Sequence, residues 1–338
     1  MHMGIRSKVI SVLQKNHIVP PIDFFWSFQQ CLASFQDCGE CMNDHTFGEK
    51  LDGIVKTILP SHSLIVVIGV FIAASMANPL AMFDINIYLL ISFYVFLDFA
   101  LNTYNACSDV EIDKVTKPFR PIPCGIFSKN YCLRLAIILY FITLLFPLYF
   151  LNVNRLISTI MLVAIVNTFM YSFPYLKIKK FFVLSNISIA VHYGLFPLIS
   201  GWFLFGTSQE LPLVIFSIIF FVALVTNITK DFEDFEIEKE LGIRTIPVVC
   251  GVVKGSIRTA FVLIFPYVTA FLLIIAGNLK FDILIPIVIL TLYSAYICYN
   301  LLHNPYPPFA TRTLNHSILL GIMTEFLFYL MYSLKFII

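Results

Sequence analysis

The chain of 338 residues is poor in charge. Only 12% of its residues are Asp, Glu, Lys or Arg, whereas 59% are hydrophobic. A typical soluble domain is about 25% charged. The net charge is only +2, and no stripe of basic residues with interleaved aromatics is present, so no nucleic-acid partner is predicted. This composition predicts a polytopic membrane protein of the all-α class.

Signals for disulfides, structural zinc and secretion are also missing. The eight cysteines lie mostly in or beside apolar stretches, unlike the framework of a secreted disulfide-rich domain. Cys38-Gly-Glu-Cys41 has no second Cys or His pair at a convincing spacing, so no zinc site is predicted. Met1 to Lys15 lacks the long apolar core and cleavage site of a signal peptide. We interpret residues 1–50 as a polar extension, partly disordered or lying at the membrane interface.

Apolar stretches long enough to cross a bilayer recur along the rest of the chain. Turns that contain Gly, Pro or Asn separate these stretches from one another. We predict nine transmembrane helices within a domain that covers residues 51–338. The predicted spans are 61–82, 86–107, 132–151, 156–174, 184–206, 211–229, 256–277, 281–300 and 314–335.

Lys and Arg residues are distributed unequally between the two sides of this bundle. With the N-terminus inside, 19 of the 22 basic residues lie on the inner side. Only Arg155, Lys280 and Lys335 lie outside. Because cytoplasmic loops carry an excess of Lys and Arg, the N-terminus and the loops after even-numbered spans are predicted to be cytoplasmic.

Two acidic segments stand out against the apolar background. The first acidic segment is Asn105–Asp113 and the second is Lys230–Glu238. Each follows an even-numbered span, so both are predicted on the cytoplasmic face. Carboxylates beside lipid are costly unless they are paired or bind a cation. Two such segments on one side of the membrane therefore predict a shared metal site.

Helical spacing aligns polar side chains within each acidic segment. In the first segment these are Asn105, Asp109 and Asp113, and Asn102 and Asp98 extend that stripe toward the membrane. In the second segment they are Asp231, Asp234 and Glu238. Facing carboxylates repel each other unless cations lie between them. Oxygen ligands suit Mg²⁺, which proteins typically hold with one or two carboxylates plus substrate phosphates.

Basic residues accompany both acidic segments. Lys117 and Arg120 follow the first segment, Lys177 lies between the two, and Lys230 begins the second, with Arg244 after it. Such cations can bind the phosphate oxygens that a metal ion leaves free. Carboxylates, Mg²⁺ and these cations together predict a binding site for a diphosphate.

These residues resemble the UbiA superfamily of intramembrane prenyltransferases. The first motif of that family is an Asn followed by two Asp at four-residue steps, which Asn105, Asp109 and Asp113 match. The second motif, Asp-x-x-Asp-x-x-x-Asp, resembles residues 231–238, where Glu238 replaces the last Asp. Ala106 and Ile237 also depart from the family pattern. Because Glu still ligates Mg²⁺, activity is expected.

The resemblance covers about residues 51–338 and implies a UbiA-like bundle of nine helices. It implies Mg²⁺-dependent transfer of a prenyl group from an isoprenyl diphosphate to an aromatic or lipid acceptor, with release of pyrophosphate. The residues implied to be catalytic and to bind the metal are Asp109, Asp113, Asp231 and Asp234, with Glu238 as a further ligand. The residues implied to bind substrate are Asn102, Asn105, Lys117, Arg120, Tyr171, Lys177 and Lys230. Further candidates for contact with the acceptor or the allylic cation are Tyr104, Tyr171 and His192.

Two other functions are compatible with the same sequence. A UbiA-type terpene cyclase would use the same diphosphate site but let the prenyl cation react with itself. A transporter or lipid-binding protein would carry the acidic segments without catalysis, although transporters more often bury their charges near the middle of the membrane. Membrane lipids are expected partners in every case.

Overall fold

The computed structural model describes residues 46–173, 178–206, 212–240, 242–277, 279, 281–306 and 309–333. The described residues are mostly α-helical, and they contain no β-strand. The prediction for residues 1–45 and the prediction that Lys177 binds substrate lie outside the described residues.

Thirteen α-helices are described. They are α1 Phe47–Ile58, α2 Pro60–Ala77, α3 Ile85–Ser108, α4 Val110–Thr116, α5 Lys129–Val153, α6 Arg155–Ser172, α7 Phe182–Ala190, α8 Phe196–Phe203, α9 Leu213–Glu240, α10 Ile246–Cys250, α11 Val252–Ile275, α12 Leu284–His303 and α13 Phe309–Ser333. A π-helical turn, Val191–Leu195, joins α7 to α8, and the three together form one span.

The helices confirm the predicted all-α, multi-pass membrane fold. In the described part of the chain, eight spans are long and apolar enough to cross a membrane. The pair α1 and α2, bent by 54°, gives a ninth if it is counted as one span. Leu59 lies at this bend in the left-handed conformation (φ 50°), and α2 begins with Pro60, a residue that favours the first helical position.

Both acidic segments lie at helix ends, but the two ends differ. α3 ends at Ser108, and Asp109 leaves the helical conformation before α4 begins. Hydrogen bonds from the amide of Asp109 to Asn105 and from that of Asp113 to Asp109 keep the helical register through this break. α9, by contrast, continues without a break to Glu240, eleven residues beyond the predicted end of its span.

The core lies on both sides of α2. Val66, Val70 and Ala74 of this helix pack in a cluster with residues of α3, α5 and α6. Ile72, Ala73 and Met76 pack in a second, larger cluster with residues of α8, α9 and α11 to α13. At Gly201 the backbone of α8 lies directly against the backbone of α2. A Cβ at this position would lie 2.4 Å from the carbonyl oxygen of Val70, so only glycine fits. Small residues at such crossings allow membrane helices to pack closely.

Gly201→Ala is expected to destabilise the bundle, because its Cβ has no space beside the Val70 carbonyl. Overpacking of this kind typically costs about 1–3 kcal/mol. The expected result is a lower melting temperature of the purified protein in detergent. The matched control is Gly321→Ala, whose Cβ would lie 3.6 Å from Val222 Cγ1, an ordinary contact. Equal melting temperatures for the two variants would contradict the need for this close approach.

Candidate active site

A cavity of about 360 Å³ lies among the helices that carry the two acidic segments. Part of its lining is polar and contains seven of the predicted site residues: Asn102, Asn105, Asp113, Lys117, Arg120, Tyr171 and Lys230. Most of the remaining lining residues are apolar. Those contributed by α2, α9 and α13 include Ile65, Ile219, Val222, Ile318 and Ile322. A cavity of this kind suits a ligand with a charged head and a hydrocarbon tail.

Lys179 binds the first acidic segment to the loop after α6. Its ammonium group contacts Asn105 Oδ1 at 3.3 Å, donates to Ser108 Oγ, and forms an ion pair with Asp109. Ser172 Oγ also donates to Asn105 Oδ1, at 3.1 Å. Neither Lys179 nor Ser172 is predicted from the sequence, because spacing alone does not distinguish the lysines at 177, 179 and 180.

Asp113 and Arg120 form an ion pair in the cavity wall. Arg120 Nη1 donates to Asp113 Oδ2 at 2.8 Å, and Asp113 is only 4% exposed. Burial raises the pKa of the Asp113 carboxyl group, while the guanidinium of Arg120 opposes that shift. The cation beside this carboxylate therefore offsets part of the cost of its burial.

Lys117 joins the two acidic segments directly. Its ammonium group lies 3.4 Å from Asp234 Oδ2, across 117 residues of sequence. Burial lowers the pKa of Lys117, and the nearby charge of Lys230 lowers it further, whereas Asp234 raises it. Two cations near one another are typical of a site that binds an anion with several charges.

The second acidic segment forms the last turns of α9. Glu238 accepts a hydrogen bond of 2.8 Å from Thr245 Oγ1, so the loop after α9 holds this carboxylate. Asp231 is close enough to Lys230, Asp234 and Glu238 to interact with their charges. The segment therefore presents carboxylates and a cation along one helix end.

The five predicted metal ligands are not gathered into one cluster. Within the described ranges, no group of three His, Cys, Asp or Glu side chains is arranged to hold a metal ion. Three of the carboxylates are instead paired with cations, as Asp109–Lys179, Asp113–Arg120 and Asp234–Lys117. The donor set still fits Mg²⁺, because this ion needs only one or two carboxylates when a diphosphate and water supply the rest. The cations would then be free to pair with phosphate oxygens.

The three aromatic candidates occupy different environments. Tyr171 lines the cavity. Tyr104 is absent from the cavity lining and stacks on Phe169, with 5.5 Å between ring centroids. His192 is fully buried, and its Nε2 lies 3.6 Å from Asp98.

Family comparison agrees with this geometry. The model of the UbiA prenyltransferase family matches residues 63–324. The chain belongs to this family. This UbiA-family protein is thus a prenyltransferase, and the resemblance drawn from the two acidic segments is confirmed.

Curated relatives of this prenyltransferase include digeranylgeranylglyceryl phosphate synthases. The one from Pyrococcus horikoshii is 30% identical, with the match covering 66% of this chain and 80% of the relative. The one from Methanobrevibacter smithii is 29% identical, over 73% of this chain and 87% of the relative.

Solved structures show the same fold. A structure described for digeranylgeranylglyceryl phosphate synthase has a TM-score of 0.63 at 24% identity, and covers 83% of this chain and 98% of its own. A UbiA homologue from Archaeoglobus fulgidus bound to DMAPP and Mg²⁺ has a TM-score of 0.58 at 17% identity. The match covers 80% of this chain and 97% of the homologue. The UbiA-like bundle predicted from the sequence is thereby confirmed.

Glu325 of α13 is a cavity residue that the sequence did not single out. It is 3% exposed, and its Oε2 has no hydrogen-bond partner among the described residues. A buried polar group that lacks a partner costs about 1–3 kcal/mol.

Glu325→Met is therefore expected to raise the melting temperature of the prenyltransferase, since it removes an unpaired buried group and keeps most of the side-chain volume. Thermal unfolding in detergent measures the change. Glu111→Met is the control, because Glu111 is exposed and forms only a surface ion pair with Lys114. A lower melting temperature for Glu325→Met than for the control would show that the carboxyl group is stabilised where it lies.

Proposed function

We propose that this enzyme transfers a prenyl group from an isoprenyl diphosphate to a hydroxyl group of a glyceryl phosphate lipid, with Mg²⁺, and releases pyrophosphate. The observation that carries the proposal is the Lys117–Asp234 ion pair, which joins the two acidic segments beside a cavity whose lining is largely apolar away from them. The names of the curated relatives support a glyceryl phosphate acceptor. The Archaeoglobus homologue bound to DMAPP and Mg²⁺ supports the donor and the metal.

The charged residues have complementary roles in this proposal. Bound Mg²⁺ supplies Lewis-acid stabilisation of the departing pyrophosphate. The residues that would hold the ion are Asp109, Asp113, Asp231, Asp234 and Glu238. The residues that would bind the phosphate oxygens are Asn105, Lys117, Arg120, Lys179 and Lys230, with Lys177 proposed from the sequence alone. Such preorganised cations stabilise the charge that develops as the allylic C–O bond breaks.

The apolar part of the cavity has its own role. Ile65, Ile219 and Val222 exclude water from the prenyl tail and from the allylic carbon. An allylic cation in such a pocket lasts long enough for the acceptor to reach it instead of water. The ring of Tyr171 lies in the lining where an aromatic face can stabilise positive charge.

We also propose how the chain is arranged in the membrane. The excess of Lys and Arg on one side supports a cytoplasmic N-terminus and a cytoplasmic active site. Residues 51–338 form the catalytic domain in this proposal. Residues 1–50 are proposed to be a polar extension that precedes this domain.

A product screen tests the proposed reaction. The purified protein is incubated with Mg²⁺, geranylgeranyl diphosphate and one of three additions: a geranylgeranylglyceryl phosphate, homogentisate, or no acceptor. We expect mass spectrometry to detect an ether of the glyceryl phosphate lipid. A prenylated aromatic ring would contradict the proposed acceptor, and a cyclic hydrocarbon formed without acceptor would contradict transfer itself.

Charge-matched variants test whether the two acidic segments form one site. Asp109→Asn and Asp231→Asn are each expected to lower Mg²⁺-dependent release of pyrophosphate at least about a hundredfold, because each removes a proposed metal ligand. The controls are Glu111→Gln and Glu236→Gln, exposed carboxylates in or beside the same segments. These controls are expected to retain the wild-type rate. Wild-type release by both Asp variants would refute a shared site.

A further inference from the structure

Asp98 is a buried carboxylate inside a transmembrane helix. It lies in α3, seven residues before Asn105, and its side chain is fully buried. Ser63 Oγ of α2 donates to its Oδ2 at 2.6 Å, and the Tyr193 hydroxyl donates to its Oδ1 at 2.7 Å. An ionisable residue within a membrane span is expensive and marks a functional site by default.

Tyr193 connects this carboxylate to the cavity. It lies in the π-helical turn between α7 and α8, a feature that occurs frequently at functional sites. Its neighbour Gly194 allows close contact with α9, since a Cβ there would lie 2.9 Å from Ala223 Cβ. Tyr193 lines the cavity, whereas Asp98 is absent from the lining and lies behind it. The phenol therefore stands between the carboxylate and any bound substrate.

The position of Tyr193 fits the reacting end of the donor. Its cavity neighbours include Asn102, which lies one helical turn from Asn105 on α3. At 1.5 Å per residue, Asn102 and Asp98 lie about 5 and about 10 Å along α3 from Asn105. The allylic carbon is bonded directly to the diphosphate, so it lies in the same stretch of the cavity.

A hydroxyl acceptor must lose a proton when it forms an ether. Within the described part of the chain, His192 is a poor choice for this task, because its ring is fully buried and neither nitrogen has a hydrogen-bond partner. A residue that removes this proton must contact the cavity and must be able to pass the proton on. Tyr193 lines the cavity, and its hydroxyl donates a hydrogen bond to the Asp98 carboxylate. General bases of this kind need to lie within hydrogen-bond reach of the proton that they remove.

We propose that Tyr193 is a catalytic residue that passes the proton of the acceptor hydroxyl to Asp98, an inference that rests on the proposed function. The C–O bond between the allylic carbon and the diphosphate breaks, and its electron pair leaves with pyrophosphate. The acceptor oxygen forms a new C–O bond to that carbon. Its proton moves to Tyr193 Oη while the phenolic proton of Tyr193 moves to Asp98 Oδ1. Asp98 acts through Tyr193 as a positioning residue and ends the step neutral.

The experiment measures how the prenyl group is divided between two products. The purified full chain is given Mg²⁺, geranylgeranyl diphosphate and a geranylgeranylglyceryl phosphate, and the ether and the free prenyl alcohol are quantified. Tyr193→Phe keeps the ring and removes the hydroxyl, so the donor still ionises, and a cation that the acceptor does not trap ends as the prenyl alcohol once water reaches it. We expect the ratio of ether to alcohol to fall at least about a hundredfold. Asp98→Asn is expected to shift the ratio in the same direction.

Ser63→Ala is the matched control. It removes the other hydrogen bond to Asp98 but leaves the path through Tyr193 in place. We expect its product ratio to stay within about twofold of wild type, which a purely structural role of Asp98 would not give. An unchanged ratio in Tyr193→Phe, or an equal fall in Ser63→Ala, overturns the inference and leaves the proposed function standing. A wild-type protein that forms no ether overturns the proposed function and the inference together.

Discussion

Neutralisation of charge at the ends of apolar helices is the constraint on which this site depends. Carboxylates beside lipid are costly when they are unpaired. Three ion pairs meet that cost: Asp109–Lys179, Asp113–Arg120 and Asp234–Lys117. The last of these holds the end of α9 against the chain that follows α4, so the same pair that neutralises charge also assembles the two acidic segments.

In the proposed function, these ion pairs are exchanged when the substrate binds. A diphosphate and a divalent cation would bring opposite charges, and each could replace partners in these pairs. The carboxylates would pass to the metal and the cations to the phosphate oxygens, so the site stays close to neutral throughout. Under that proposal, the site would need no preformed three-carboxylate cluster, and none is found in the described residues.

Different kinds of side chain line the site at different depths in the helix bundle. The charged residues lie at the ends of α3 and α9, and Asp98, which binds Tyr193, lies about three helical turns before Asp109. Apolar residues of α2, α9 and α13 line much of the remaining cavity. In the proposed reaction, departure of pyrophosphate, removal of the proton and shelter of the prenyl tail would take place at successive depths along α3.

The sequence predicted the membrane bundle and both acidic segments, because hydropathy and the period of a helix are local properties. It did not predict that α9 continues as a helix to Glu240, beyond the predicted span, because charged residues end a hydropathy signal although the helix continues. Lys179 was missed because three neighbouring lysines look alike until the loop folds. The Asp98–Tyr193 contact joins residues 95 apart in the sequence, and only the folded bundle brings them together.

Binding of an inert donor tests the exchange of ion pairs most directly. Calorimetric titration with a geranylgeranyl thiodiphosphate, which cannot easily ionise, measures affinity with and without Mg²⁺. Exchange of the ion pairs predicts tight binding only with Mg²⁺, and loss of that Mg²⁺ dependence when Asp109 and Asp234 are both changed to Asn. Equal affinity with and without the metal in the wild-type protein would contradict it.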